Sequence, residues 1–228
     1  MKWTNEATGR TIEIYNEDCM PALEKMQENE FELAIVDPVY GDSIITGGYT
    51  SGRGGGVAKQ HKYNQKLWSQ KKTSKEYFDL LKMKTNNQIV WGGNYFVKEI
   101  NENHGGWILW DKKNGEVSFS DGELAYTSFD RALRIFRYLW SGMLQEKMGK
   151  DKEKRITPTQ KPVALYKWLL KNYAKENDRI LDTHLGSGSI AIACWEMGFD
   201  LVGYELDKDY FDATCKRLND HFRQGVLF

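Results

Sequence analysis

Arg179-Ile180-Leu181-Asp182-Thr183-His184-Leu185-Gly186-Ser187-Gly188-Ser189-Ile190-Ala191 decides the fold. Arg179–Asp182 reads as a short apolar strand and Ser189–Met197 as a helix, with two glycines in the turn between them. The pattern Gly186-x-Gly188-x-x-Ala191 lets backbone approach a bound ligand closely at a helix N-terminus. A second strand, Leu201–Glu205, follows and ends in an acid nineteen residues beyond Gly186. A carboxylate there can accept hydrogen bonds from both hydroxyls of a ribose. Strand, turn, helix, strand and acid at this spacing describe a nucleotide site in an α/β sheet. Only twenty-three residues follow Glu205, enough for one helix, Lys208–His221, with Asp207 as its N-cap. The other strands must therefore lie upstream, the reverse of a dinucleotide-dependent dehydrogenase, whose site opens the domain.

Upstream, strands are expected at Ile12–Tyr15, Phe31–Asp37, Gln88–Trp91, Trp107–Trp110, Glu123–Phe129 and Leu133–Tyr138. Leu33-Ala34-Ile35-Val36 is a continuous apolar run, as in a strand covered on both faces. Helices are expected at Pro21–Gln27 and Ser74–Thr85, and a third with Pro162 in its first turn and Val163, Tyr166, Leu169, Leu170 and Tyr173 as its apolar stripe. Alternating strands and helices imply a mainly parallel sheet. At 228 residues, with no convincing linker or repeat, the chain is expected to form one domain, 1–228.

Hydrophobic residues make up 40% of the chain and charged residues 28%, which argues against global disorder. The polar start Met1-Lys2-Trp3-Thr4-Asn5-Glu6 lacks a signal-peptide core, and no apolar run is long enough to span a bilayer. Cys19, Cys194 and Cys215 are odd in number and widely spaced, which fits a reducing, cytoplasmic setting. Four scattered histidines show no metal-ligand spacing, so no metal is expected. Net charge is zero, but residues 41–75 carry a local net +6 and residues 131–155 a net +5. Two basic islands in a neutral chain suggest a track for phosphates, although solvated loops have the same composition.

The strand Phe31–Asp37 runs into Asp37-Pro38-Val39-Tyr40. An exocyclic amine of a base is a poor nucleophile because its lone pair is delocalised into the ring. A carboxylate (Asp37) and a main-chain carbonyl (Pro38) can each accept one of its hydrogens and draw the lone pair out. Proline fixes φ and helps hold that carbonyl in place. Tyr40 can stack on a base extruded from its helix; stacking returns about 1–3 kcal/mol against a flipping cost of a few kcal/mol.

Asp37-Pro38-Val39-Tyr40 resembles the Asp-Pro-Pro-Tyr motif of S-adenosylmethionine-dependent amino-methyltransferases, and Asp182 through Ser189 resembles their Asp-Pro-Phe-x-Gly-Ser-Gly-Thr cofactor motif. Thr159-Gln160-Lys161-Pro162 is similar to the segment preceding that motif. Catalytic motif first and cofactor motif last is the circularly permuted, β-class order of these DNA enzymes. The resemblance implies a Rossmann-like fold with a seven-stranded, mainly parallel sheet and helices on both faces. It implies S-adenosylmethionine as cofactor, with Asp18 at the adenine, Glu205 at the ribose, Asp182 at the methionine end, and His184, Gly186, Ser187 and Gly188 also in the cofactor site. Val39 for the second proline, Thr183-His184 for Pro-Phe and Ser189 for Thr are its departures. Asp at the first catalytic position leans toward adenine N6 over cytosine N4.

The resemblance therefore points to site-specific DNA methylation, with cytosine-N4 or RNA-adenine methylation and a catalytically silent cofactor- or DNA-binding subunit as the other readings. The Gly-rich stretch 41–72 reads as a mobile loop closing over DNA, with Arg53 and Lys62 at phosphates and Tyr63 or Trp68 stacking. The interval 131–155, with Arg134 and Arg137, lies where β-class enzymes place target recognition. It is short, which implies a short target or relaxed specificity. Trp91-Gly92-Gly93-Asn94-Tyr95-Phe96 is read as structural, and Asp111, Asp121 and Glu123 as solvated strand ends, with a place lining the cleft as the alternative. A homodimer and a restriction-nuclease partner both stay open.

Overall fold

The computed structural model describes residues 1–41, 72–100, 105–115, 120–141 and 144–224. Its strands in chain order are β1 (Lys2–Thr4), β2 (Thr11–Tyr15), β3 (Phe31–Val36), β4 (Thr85–Trp91), β5 (Trp107–Asp111), β6 (Gly122–Thr127), β7 (Arg134–Arg137), β8 (Trp140–Ser141), β9 (Leu144–Gln145), β10 (Arg179–Asp182) and β11 (Asp200–Tyr204). The helices are α1 (Cys19–Lys25), α2 (Lys75–Lys84), α3 (Val97–Ile100), α4 (Val163–Tyr173), α5 (Ser189–Met197) and α6 (Lys208–Gln224).

Nine strands form one sheet in the order β1-β2-β11-β10-β3-β4-β6-β5-β7, and β8 pairs with β9 apart from it. The expected seven-stranded sheet is thus corrected to nine strands. One addition, β1, is an antiparallel edge strand registered on β2 (Trp3 opposite Ile12). It escapes sequence reading because three residues with one half-buried side chain carry no periodic signal. The run β2-β11-β10-β3-β4 is parallel throughout. The strand β6 is antiparallel to β4 and β5 because the short β5–β6 connection can only make a hairpin, whereas parallel neighbours need a crossover. The backbone bond from Lys112 N to Asp121 O (2.9 Å) closes that hairpin.

The pleat of β3 sorts its side chains onto two cores. Leu33 and Ile35 join the cluster beneath α4, α5 and α6, and Ala34 and Val36 join the cluster beneath α1 and α2. All four are essentially inaccessible, so helices cover both faces as expected. Pro162 does not enter the first turn of α4 but precedes it, with ψ 146°. Asp207 caps α6 as expected, accepting from the amides of Asp209 (2.9 Å) and Tyr210 (3.1 Å). Among the described residues no helix is long and apolar enough to cross a membrane.

One feature of the topology places the site. From β3 the chain moves through α2 to β4 on one side, and from β10 through α5 to β11 on the other. The pair β3–β10 is therefore the switch point, and its carboxyl end is where open α/β sheets bind ligands.

Candidate active site

Three acids stand at the carboxyl ends of three adjacent parallel strands: Asp37 just beyond β3, Asp182 closing β10, and Glu205 just beyond β11. Asp182 and Glu205 are buried, at 2% and 7% exposure. The glycine turn between β10 and α5 is shaped by its surroundings. Gly186 (φ +53°) and Gly188 (φ +69°) both take left-handed backbone. A Cβ on Gly188 would stand 2.6 Å from Thr214 Cγ2, so only glycine fits beneath α6. The Thr214 hydroxyl donates to Gly186 O (2.6 Å), and Arg217 donates to Ser187 O (2.8 Å) and Ser189 Oγ (3.0 Å).

The carboxylate of Glu205 accepts from the amides of Gly186 and Asp207, one on each oxygen, at 2.8 Å. Each oxygen keeps a second lone pair for a hydroxyl. Burial pushes the Glu205 carboxyl up to about 7 and that of Asp182 up to about 8. The amide of His184 donates to Asp182 Oδ1 (2.9 Å). The His184 ring lies edge-on to Tyr77 (5.3 Å), shares a 2.9 Å bond with the Thr183 hydroxyl, and is driven down to about 4 by burial. It is thus a neutral packing group near pH 7. Tyr77 Oη meets Thr183 Oγ1 at 2.6 Å, joining α2 to the turn. Asp18 lies exposed at the exit of β2, where it caps α1 through Met20 N (2.9 Å). Nearby, Asn16 Nδ2 donates to Glu205 O (2.8 Å). Two buried acids beside a glycine turn suit a ligand with hydroxyls at one end and positive charge at the other.

On the β3 side, the Tyr40 hydroxyl donates to Asp37 Oδ1 and Lys161 Nζ to Asp37 Oδ2. The Tyr40 ring lies against Gly92 and near Tyr95 (5.1 Å) and Phe96 (5.9 Å). Burial, then the charge of Asp37, pushes the Tyr40 hydroxyl well above its ordinary value, so it remains a donor. Val39 costs the turn nothing visible, since its carbonyl takes both the amide (3.0 Å) and the hydroxyl (3.1 Å) of Thr73.

Lys161 and Glu123 are the residues sequence reading missed. Lys161 is 3% exposed and reaches Glu123 at 3.2 Å as well as Asp37. The other Glu123 oxygen takes Lys112 at 2.6 Å. Burial opposes charge on Glu123, but Lys161 and Lys112 outweigh it and hold the carboxyl at about 2. The signal was a lysine set against the apolar Pro162-Val163-Ala164-Leu165 run, an unusual neighbour for a surface cation.

Of the residues expected to touch nucleic acid, Arg53, Lys62, Tyr63 and Trp68 lie outside the described residues. Arg134 and Arg137 are exposed on the edge strand β7, which lies inside the 131–155 interval and extends the sheet. Arg137 sits opposite Asp111, its ion-pair partner at 3.5 Å, at the same end of the sheet as Asp37. Arg134, opposite Ile108, lies at the other end of β7.

Residues 48–216 match the family described as DNA methylase, of the N6/N4 methyltransferases; the interval holds the glycine turn and Lys161 and begins after Asp37. Over 121 residues the chain is 32% identical to the type II methyltransferase M2.LlaDCHI of Lactococcus lactis subsp. cremoris, covering 52% of this chain and 44% of that one. It spans less than half the length of the relatives it matches. Among solved structures, the M1.HpyAVI–SAM complex superposes with a TM-score of 0.57 at 21% identity, over 91% of this chain and all of that one. The PvuII DNA methyltransferase (cytosine-N4-specific) superposes with a TM-score of 0.56 at 11% identity, over 93% and 92%. At these identities the two structures speak for the fold.

Proposed function

The chain belongs to the N6/N4 DNA methylase family, and from that premise we propose that it methylates the exocyclic N6 amine of adenine in DNA, with S-adenosylmethionine as donor. The observation that carries the reading is the placement of Asp37, Asp182 and Glu205 on one rim, flanking the switch point of the sheet. Asp37 in the first catalytic position favours adenine over cytosine.

When bound, the donor supplies a methyl group on a positively charged sulfur, already activated for transfer. Glu205 takes the ribose hydroxyls on the lone pairs its backbone partners leave free, Asp18 reaches the adenine, and Asp182 faces the positively charged end beside His184, Gly186, Ser187 and Gly188. Asp37 accepts one hydrogen of the target amine on Oδ1, replacing the Tyr40 hydroxyl. The Pro38 carbonyl accepts the other. Holding both hydrogens turns the nitrogen lone pair out of the ring plane toward the methyl group. As the nitrogen lone pair forms the new N–C bond, the methyl–sulfur bond would break with its electron pair going to sulfur, and one amine proton leaves through Asp37 Oδ1. Tyr40, backed by Gly92, stacks on the extruded base. The basic segments 41–75 and 131–155 contact phosphates and select a short or loosely read target.

Incubating the protein with labelled S-adenosylmethionine and unmethylated DNA, then digesting to nucleosides, tests this. Label in N6-methyl-2′-deoxyadenosine is expected. Label in N4-methyl-2′-deoxycytidine would move the activity to the other base, and none in DNA but some in an RNA acceptor would move the substrate.

A further inference from the structure

A lysine with 3% exposure is expensive to bury, by several kcal/mol, unless anions meet it. Lys161 meets two, Asp37 from β3 and Glu123 from β6. Glu123 already has Lys112 at 2.6 Å, so it does not depend on Lys161 for a counter-charge. Asp37 has no cation but Lys161 among the described residues. The lysine is also held on a rigid mount. Its ammonium lies 5.4 Å from the centre of the buried Trp91 ring. The preceding Gln160 is fixed through Trp140 Nε1 to its carbonyl (2.9 Å) and through Ile156 N to its side chain (2.9 Å). Such fixing is what a group placing another group requires.

Given methyl transfer to an exocyclic amine, we propose that Lys161 is the positioning residue of the reaction: anchored by Glu123, its ammonium holds Oδ2 of Asp37 so that the carboxylate stays turned with Oδ1 toward the amine. An acceptor of amine hydrogens must be aimed at them, and holding one carboxylate oxygen on a fixed partner aims the other. With Oδ2 committed to Lys161, the carboxylate cannot rotate freely, and the Tyr40 hydroxyl on Oδ1 is the group that yields to the substrate. The charged and titratable groups around Asp37 are Tyr40 on its own turn, Lys161 ahead of α4, Tyr166 on α4, Glu123 on β6, Asp182 at the end of β10 and His184 beyond it. Lys161 is the one cation among them.

The test compares wild type with Lys161→Arg and with the double variant Lys161→Met, Glu123→Gln, which removes one charge of each sign and leaves Asp37 without its cation. Donor affinity is read by calorimetry with S-adenosylmethionine alone, and kcat and KM on DNA by steady-state kinetics. In the double variant, donor affinity is expected to stay within about twofold. Its kcat is expected to fall at least tenfold with KM for DNA little changed, because a carboxylate released at Oδ2 no longer keeps Oδ1 aimed. Lys161→Arg, which can still hold Oδ2, is expected to recover most of that loss. An unchanged kcat in the double variant, or a loss in Lys161→Arg as deep as in the double variant, would overturn the positioning role while wild-type methylation left the activity standing. Methyl transfer absent from wild type, with donor bound normally, would overturn both.

Discussion

Gly92 lies so close beneath Tyr40 that a β-carbon at residue 92 would stand 2.2 Å from Tyr40 Cε1. Its φ of +64° is also one that residues with side chains rarely adopt. The Trp91–Phe96 stretch therefore does more than pack: its glycine lets the ring sit where the hydroxyl reaches Asp37. Gly92→Ala is expected to displace Tyr40, cost about 1–3 kcal/mol of stability, and lower methylation more than tenfold with donor affinity unchanged. Chemical denaturation and a methylation assay check it; near-normal turnover would mean that Tyr40 does not need this seat.

Asp37 and Glu205 stand on the same rim yet are assigned different tasks, so their variants should fail differently. Asp37→Ala is expected to leave donor affinity nearly intact and cut turnover about a hundredfold or more, as loss of one preorganised electrostatic partner does. Glu205→Ala should weaken the donor by about 1.5–3 kcal/mol, the scale of hydrogen bonds to a charged group, with a smaller effect on turnover at saturation. Calorimetry beside steady-state kinetics separates them, and the opposite pattern would exchange the two roles.

The legible parts of this molecule were those where one local rule sufficed. The apolar run Leu33–Val36, the turn Gly186–Gly188 and the acid after β11 each announce themselves in fewer than ten residues, and together they fixed the parallel core and its switch point. Lys161 and Glu123 were not legible, because their meaning is a contact across 38 residues of sequence and three elements of structure. Glu123 looks like any acid at a strand end until Lys112 and Lys161 close on it. The edge strand β1 was hidden for another reason, since three residues are too few to show a period.

The two buried acids of the glycine-turn side give a pH dependence whose sign can be worked out. Burial raises Asp182 to about 8 and Glu205 to about 7, above the ordinary carboxylate range. The unliganded fold therefore keeps protons that the unfolded chain has already lost, and their stabilising effect is full below about pH 4 and fades as pH rises through about 7 and 8. Asp182→Asn, which retains an oxygen for His184 N, should gain stability over wild type at pH 8.5 but little at pH 5. Donor affinity should move the other way in wild type, rising by up to about tenfold per pH unit toward pH 8, because Asp182 must release its proton to solvent to face a cationic ligand. Thermal unfolding and calorimetry across this range check both; a donor affinity flat from pH 6 to 8 would remove the proton linkage.

Arg217 ties the glycine turn to the second basic segment. One arm of its guanidinium holds Ser187 O and Ser189 Oγ, and the other meets Glu153 Oε2 at 3.0 Å. The second Glu153 oxygen takes Val163 N at 2.9 Å, at the start of α4 and two residues from Lys161. Burial raises the Glu153 carboxyl even with Arg217 beside it, so removing the guanidinium leaves an acid that would be costly to keep charged. Arg217 and Glu153 side chains are 13% and 20% exposed, which places the loss for Arg217→Met below that of a fully buried pair, at about 2–4 kcal/mol. Glu153→Gln should cost less, since an amide oxygen can still accept one bond. Because the pair joins the donor side of the site to the segment before α4, both variants should also raise KM for the donor. A double-mutant cycle on stability measures the link: a coupling of about 1 kcal/mol or more is expected. Additivity within about 0.5 kcal/mol would show that turn and segment are held independently, and that the basic segment can shift on DNA without disturbing the donor.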